Sequence, residues 1–95
     1  NASFIKADIA YADLRFTDLS YSQLQNSLLV GANLQMANLS YADLSGADLS
    51  FADLRNAKLG GSKLDNAIFD SAIWPNGATC AIGSVGQCIF SKTSH

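Results

Sequence analysis

The feature that most constrains this chain is a five-residue rhythm running without interruption from Ala2 to Ile73. Ala32-Asn33-Leu34-Gln35-Met36, Ala37-Asn38-Leu39-Ser40-Tyr41, Ala42-Asp43-Leu44-Ser45-Gly46, Ala47-Asp48-Leu49-Ser50-Phe51 and Ala52-Asp53-Leu54-Arg55-Asn56 follow one another in one phase. The third place of the phrase is Phe4, Ile9, Leu14, Leu19, Leu24, Leu29, Leu34, Leu39, Leu44, Leu49, Leu54, Leu59, Leu64 and Phe69, which makes fourteen repeats. The first place is always small. A self-similar period of this kind signals a repeat architecture, in which each unit buries its apolar residue against its neighbours.

A period of five fits neither regular element. An amphipathic helix needs apolar residues every three to four places, and a half-buried strand needs alternation. On an α-helix successive third places would fall about 140° apart and smear the apolar residues around the whole surface. A chain that turns a corner every five residues instead aims every first and third place inward and leaves the other three places for solvent.

These tandem Ala-Asp-Leu-x-x and Ala-Asn-Leu-x-x phrases resemble the pentapeptide-repeat family over about three quarters of the chain. The resemblance implies an all-β fold, a right-handed quadrilateral β-helix with four repeats per coil. About three and a half coils are expected over residues 1–74, closed by a C-terminal capping tail over 75–95. Residues twenty apart should then stack, with coils roughly 4.8 Å apart. Interior columns would read Phe4, Leu24, Leu44, Leu64; Ile9, Leu29, Leu49, Phe69; Leu14, Leu34, Leu54; and Leu19, Leu39, Leu59. Second places would stack as Asp8, Leu28, Asp48, Ile68; Asp13, Asn33, Asp53, Ile73; Asp18, Asn38, Lys58; and Ser3, Gln23, Asp43, Lys63. No Asp lies over another Asp, which relieves repulsion between like charges opposed in a sheet. Asp43 beneath Lys63 is a candidate exposed ion pair.

The chain's 95 residues make one small domain with a formal charge of −2, eight Asp, no Glu and six Lys plus Arg. This is not the basic footprint of a nucleic-acid binder. A polar residue returns every five places, so no apolar run is long enough for a membrane-spanning helix. The chain opens on Asn1 and its only Met is Met36, which reads as a processed product or an excerpt of something longer. The only His is His95, and carboxylates sharing a column stand two coils apart, so neither a catalytic constellation nor a metal cage is expected. No cofactor is expected. The sequons at Asn1 and Asn38 read as chance in a chain rich in Asn and Ser.

The fifth places fall at the corners, and three of the four corners carry aromatic residues. Beside one of them Leu28 and Val30 replace the usual polar residues, with Gly31 leaving a dip between Tyr11 and Phe51. These aromatics read first as ordinary packing ladders. The functional alternative is a partner-binding patch of Tyr11, Phe16, Leu28, Val30, Met36 and Phe51, because grouped exposed apolar residues mark contact sites. On that reading Leu28→Asp with Val30→Ser removes binding and spares the fold.

The rhythm stops at Ile73-Trp74-Pro75-Asn76-Gly77, where Pro removes a ladder donor and Asn-Gly signals a turn. Trp74 stands where a third-place residue would close the cylinder. Cys80 and Cys88 bracket a short Gly-rich segment, and a disulfide between them is expected, with free thiols as the alternative. Trp-Pro-Asn-Gly followed by paired cysteines resembles the closing tails of exported pentapeptide-repeat proteins. A disulfide places the chain in the periplasm, outside the cell or in an organelle lumen. At the other end the first coil has open edges, to be met by preceding chain or by a second copy in a homodimer. The expected function is a non-catalytic, exported module that binds a protein and engages neither nucleic acid nor membrane. The alternatives are a DNA-mimicking protector of a type II topoisomerase (gyrase), which the resemblance to the family brings in, and a structural spacer within a longer protein.

Overall fold

A computed structural model describes residues 3–90. Every parallel bridge joins a second-place residue to the second-place residue twenty positions on, from Ser3 with Gln23 to Asp53 with Ile73. The chain therefore winds through three coils, residues 3–21, 22–41 and 42–61, and a fourth of three sides over 62–76. The pairing consists of single-residue bridges, and no longer strand forms among the described residues. A strand cannot lengthen where the backbone must turn every fifth residue.

The amide hydrogens of one repeat show how this backbone is satisfied. Asn33 N–H donates to the Ala12 carbonyl of the coil before, at 2.9 Å, while Leu34 N–H donates to Asp53 of the coil after, at 2.8 Å. Met36 N–H donates to Arg55, 3.0 Å, also in the coil after, and Ala37 N–H closes the corner onto the Leu34 carbonyl at 3.0 Å. The fourth-place N–H alone has no backbone partner. In this repeat it goes to a side chain: Gln35 N–H donates to Asn33 Oδ1 at 3.2 Å. The same bond recurs from Ala10, Arg15, Ser20, Ser40, Ser45, Ser50 and Arg55 to the Asp or Asn two residues earlier. Asp and Asn make this local closure readily because their oxygen reaches the amide two residues on. Their abundance at the second place is thus a backbone requirement as well as a matter of charge.

Each corner is a hydrogen-bonded four-residue turn whose third residue is the fifth place, and all fourteen fifth places from Lys6 to Ser71 have φ between 58° and 72°. Positive φ at that position alone is the mark of a type II turn. It explains Gly31, Gly46 and Gly61, and makes the aromatic corners costly, on the order of 1 kcal/mol each for a left-handed non-glycine residue.

The interior is built of Leu and Ala side chains. Leu24, Leu29, Leu34, Leu39, Leu44, Leu49, Leu54 and Phe69 are fully buried, with Ala32, Ala37, Ala42, Ala47, Ala52, Ala67 and Ala72 between them. Ser27 is equally buried, its hydroxyl donating to the Leu24 carbonyl at 2.8 Å, so a first-place Ser brings no unsatisfied group inside. The first coil is only half closed, with Phe4, Ile9 and Leu14 partly buried.

At the C-terminal end Trp74 packs edge-on against buried Phe69, ring centres 5.1 Å apart. Pro75 is not what ends the coil. A fourth-place N–H never enters the ladder, so Pro costs nothing there, and the Pro75 carbonyl still accepts from Asn56 N–H at 3.0 Å. The ending comes at Gly77, with φ 88°, where the chain folds back so that Trp74 N–H donates to Ala78. Residues 79–90 then run antiparallel over the last coil, pairing Thr79 with Ile73 and Val85 with Ile68. Cys80 and Cys88 are disulfide-bonded within this cap, their Cα atoms 5.1 Å apart.

Replacing Asn33 separates the local closure from charge. Asn33→Ala should cost about 1 kcal/mol in urea unfolding, the net worth of one hydrogen bond. Asn33→Asp keeps the acceptor but sets a carboxylate between Asp13 and Asp53. Its smaller penalty should shrink as salt is raised, whereas that of Asn33→Ala should not.

Candidate functional site: the outward sides and corners

The six apolar residues singled out by the sequence occupy two corners and one side. Tyr11 and Phe51 stand on the corner shared with Gly31, and Leu28 and Val30 lie on the side that leads into it. Tyr11, Phe51, Leu28 and Val30 therefore form one group. Phe16 and Met36 share the next corner, across a polar side made of Asp13 with Arg15, Asn33 with Gln35, and Asp53 with Arg55. Exposure is high at Tyr11 (77%), Phe16 (72%) and Phe51 (67%), and Leu28 and Met36 are also exposed, while Val30 is half-buried.

The dip expected at Gly31 is filled. A Cβ on Gly31 would come within 2.5 Å of the Tyr11 ring, so the ring occupies the space a side chain at Gly31 would take. Tyr41 covers Gly61 in the same way, and Tyr21 stacks on Tyr41 with ring centres 5.0 Å apart and planes 11° from parallel. Corner side chains thus lean towards the following coil. Phe16 and Phe51 have no ring partner among the described residues.

The charged groups pair along a side, not between coils. Arg15 binds Asp13 through two hydrogen bonds of 2.8 Å, and Arg55 binds Asp53 through Nη2 at 2.7 Å and Nε at 3.0 Å. Second and fourth places lie on the same outward surface, which puts a guanidinium within reach of the carboxylate two residues back. The expected Asp43–Lys63 pair is in register but makes no ion-pair contact. Asp43 is instead occupied by Ser45 N–H at 3.0 Å and Gln25 Nε2 at 3.1 Å. These bonds act on acidity. The Asp13 carboxyl is lowered to about 2, chiefly by the Arg15 side chain. Asp53 is lowered first by the Arg55 side chain, Asp18 by Ser20 and Asp43 by Ser45.

Among the described residues no three His, Cys, Asp or Glu side chains converge. The Asn1 sequon and His95 lie outside the described residues. Asn38 has its amide oxygen engaged by Ser40 N–H at 3.0 Å. One exposed group went unnoticed in the sequence: Ile82 (83%), Val85, Ile89 and Phe90 all project from the cap. Their spacing has no periodicity, so only the fold-back reveals which way they face.

Comparison with known proteins agrees with this geometry. The family model described as Pentapeptide repeats matches in eight copies over residues 1–35 and 32–70. The chain belongs to the pentapeptide-repeat family. It is similar to the crystal structure of alr5209, a pentapeptide-repeat protein from Nostoc PCC 7120, at 40% identity and a TM-score of 0.74. That match covers 77% of this chain and 61% of the relative, so the chain spans less than two thirds of its length. HetL from Nostoc sp. strain PCC 7120, a protein involved in heterocyst differentiation regulation, is similar at 27% identity and a TM-score of 0.47, over 82% of this chain and 51% of its own. A thylakoid-lumen protein of Arabidopsis thaliana, AT2G44920, is similar at 20% identity and a TM-score of 0.39, over 92% of this chain and 80% of its own. No curated protein matches the chain.

The lowered carboxyl groups set an acid limit. Asp13, Asp18, Asp43 and Asp53 are more acidic folded than unfolded, so their contribution is complete above the unfolded value near 3.9 and is lost as pH falls through the folded one. The melting temperature should therefore stay level from pH 7 to pH 5 and drop between about pH 4 and pH 2. A Tm unchanged at pH 2 would contradict the bonding described for Asp13.

Proposed function

We infer that this chain is a non-catalytic module that binds a protein partner through the corner formed by Tyr11, Leu28, Val30 and Phe51. In this reading the coil has the right hand of its family, and Phe16 and Met36 extend the contact across the polar side. The observation that carries it is Phe51, a ring 67% exposed on a left-handed backbone with no ring beneath it. An aromatic residue there pays the backbone cost without the stacking that Tyr21 and Tyr41 gain. Leu28 points the same way. It forgoes the acceptor that Asp or Asn would offer to Val30 N–H and exposes an apolar side chain between Asp8 and Asp48. Aromatic residues and Met near arginines such as Arg15 and Arg55 are the composition enriched at contact sites between proteins.

An extracytoplasmic setting belongs to this reading and is supported by the Cys80–Cys88 disulfide, since such bonds persist in oxidising compartments. Duplex mimicry is less favoured, because the guanidinium groups of Arg15 and Arg55 interrupt the acidic surface.

Leu28→Asp is the wrong probe of this corner. It would set three carboxylates in a column, Asp8, the new Asp and Asp48, and confuse repulsion with lost binding. Leu28→Asn with Val30→Ser supplies the missing acceptor without charge. The double variant should melt at or above the parent temperature and lose a purified partner by at least about tenfold in Kd, as expected on truncating a contact hot spot. Binding within twofold of the parent would remove the corner from the site.

A further inference from the structure

The four sides of the coil do not share the charge evenly. On the side of Asp13 and Asp53 each carboxylate is bound by its own arginine. The next side sets Lys58 in the column of Asp18, and the one after it sets Lys63 in the column of Asp43, with Asp65 two residues on. The remaining side, which leads into the corner of Tyr11 and Phe51, carries Asp8, Asp48 and Asp70 and no Lys or Arg. Lys6, on the corner before it, makes no ion pair among the described residues. The acidic excess is thus gathered on the side that also holds Leu28 and Val30.

Along this side acidic and apolar residues alternate from coil to coil. The bridges run from Asp8 to Leu28, from Leu28 to Asp48 and from Asp48 to Ile68, and the cap adds Val85 opposite Ile68. Side chains of bridged residues share a face, so exposed Val85 continues the stripe of Leu28 and half-buried Ile68. The carboxylates between them keep an acceptor to spare. Asp8 Oδ1 accepts from Ala10 N–H at 3.2 Å, and Asp48 Oδ1 accepts from Ser50 N–H at 3.0 Å and from the Ser50 hydroxyl at 2.7 Å. The Oδ2 of each has no partner among the described residues.

The spacing of the stripe selects what can lie on it. Successive coils are roughly 4.8 Å apart. An extended strand laid along them would return a side chain to the same face about every 6.6 Å and slip by more than one coil over four steps. An α-helix returns one about every 5.4 Å and slips by about half a coil.

We propose that this side binds a basic amphipathic α-helix of the partner, laid along the coil axis, with Lys or Arg against Asp8 and Asp48 and apolar residues against Leu28, Ile68 and Val85. The proposal rests on the reading that the corner of Tyr11, Leu28, Val30 and Phe51 binds a protein, and it names the chemistry of that protein. Tyr11 and Phe51 then flank the helix along one edge. An uncharged helix would take Asp8 and Asp48 out of water with nothing to pair them, and an acidic one would oppose them. Charge therefore selects the partner as well as attracting it.

The test uses the intact chain and three synthetic helical peptides of about 15 residues, long enough to span the stripe at about 1.5 Å per residue. One alternates Lys and Leu from turn to turn along one face, the second carries Glu for every Lys, and the third has the residues of the first in shuffled order. By titration calorimetry the Lys–Leu peptide should bind at least about tenfold more tightly than either of the others, and should weaken as salt rises above about 0.1 M. Asp8→Asn with Asp48→Asn keeps the acceptors for Ala10 and Ser50 N–H and removes both charges. It should weaken the Lys–Leu peptide at least about fivefold, whereas Asp18→Asn, on the opposite side, should not. Peptides that bind alike whatever their charge, and are lost with Leu28→Asn and Val30→Ser, would overturn the choice of a basic helix and leave the corner as a contact site. Absence of binding by the Lys–Leu peptide, or binding unchanged by the Asp8 and Asp48 substitutions, would overturn the proposal alone. A purified partner that binds the Leu28→Asn and Val30→Ser variant as well as the parent would instead remove the reading on which the proposal rests.

Discussion

The fold depends on one residual donor. Five backbone N–H groups recur in each repeat, and stacking at twenty residues satisfies the second, third and fifth while the corner satisfies the first. The fourth is left over, without a backbone acceptor among the described residues. Asp or Asn at the second place supplies the missing acceptor, as Asn33 does for Gln35 and Asp48 does for Ser50. Where the second place is Gln23, Leu28, Lys58, Lys63 or Ile68, the repeat gives this bond up. Those departures are the places to look for work other than folding, and Leu28 is the one that is itself apolar and exposed, with aromatic corners beside it.

The same closure determines what the outward surface can offer. Carboxylates already holding a backbone amide, and in two repeats an arginine as well, have at least one oxygen engaged, and Asp13, Asp18, Asp43 and Asp53 are held below the usual carboxylate range by those bonds. The corners are different. Their left-handed backbone favours Gly and Asn, so each aromatic residue there must be repaid. Tyr41 is repaid by Tyr21 above it and by the bare backbone of Gly61 below; Phe51 is not, among the described residues. Stability and recognition thus separate by place within the repeat.

Most of the architecture was legible in the sequence because a strict period admits few solutions. The inward first and third places follow from the period, and the twenty-residue register, with the buried Leu columns and the separation of Asp from Asp, follows from counting once the resemblance supplies four repeats per coil. What counting could not show was direction. It treated the second-place Asp as a charge, when its oxygen turns back on the chain. It paired Asp43 with Lys63 across coils, when Arg15 and Arg55 bind Asp13 and Asp53 along the side. It took Pro75 as the breaker, although the N–H that Pro lacks is one the ladder never uses. The cap's exposed residues from Ile82 to Phe90 lay beyond any periodic signal. Of the six residues expected in a patch, four share a corner and its adjoining side, and two lie across an ion-paired side whose width depends on where each corner falls.

Position-resolved hydrogen exchange tests the central claim most directly. If second-place Asp and Asn complete the backbone, third- and fifth-place amides of the inner coils should be protected throughout. Fourth-place amides should divide by the residue two places before them. Gln35, Ser40, Ser45 and Ser50, which follow Asn or Asp, should be slow, and Val30 and Gly60, which follow Leu28 and Lys58, should be fast. Fourth-place amides that exchange alike whatever precedes them would contradict the account.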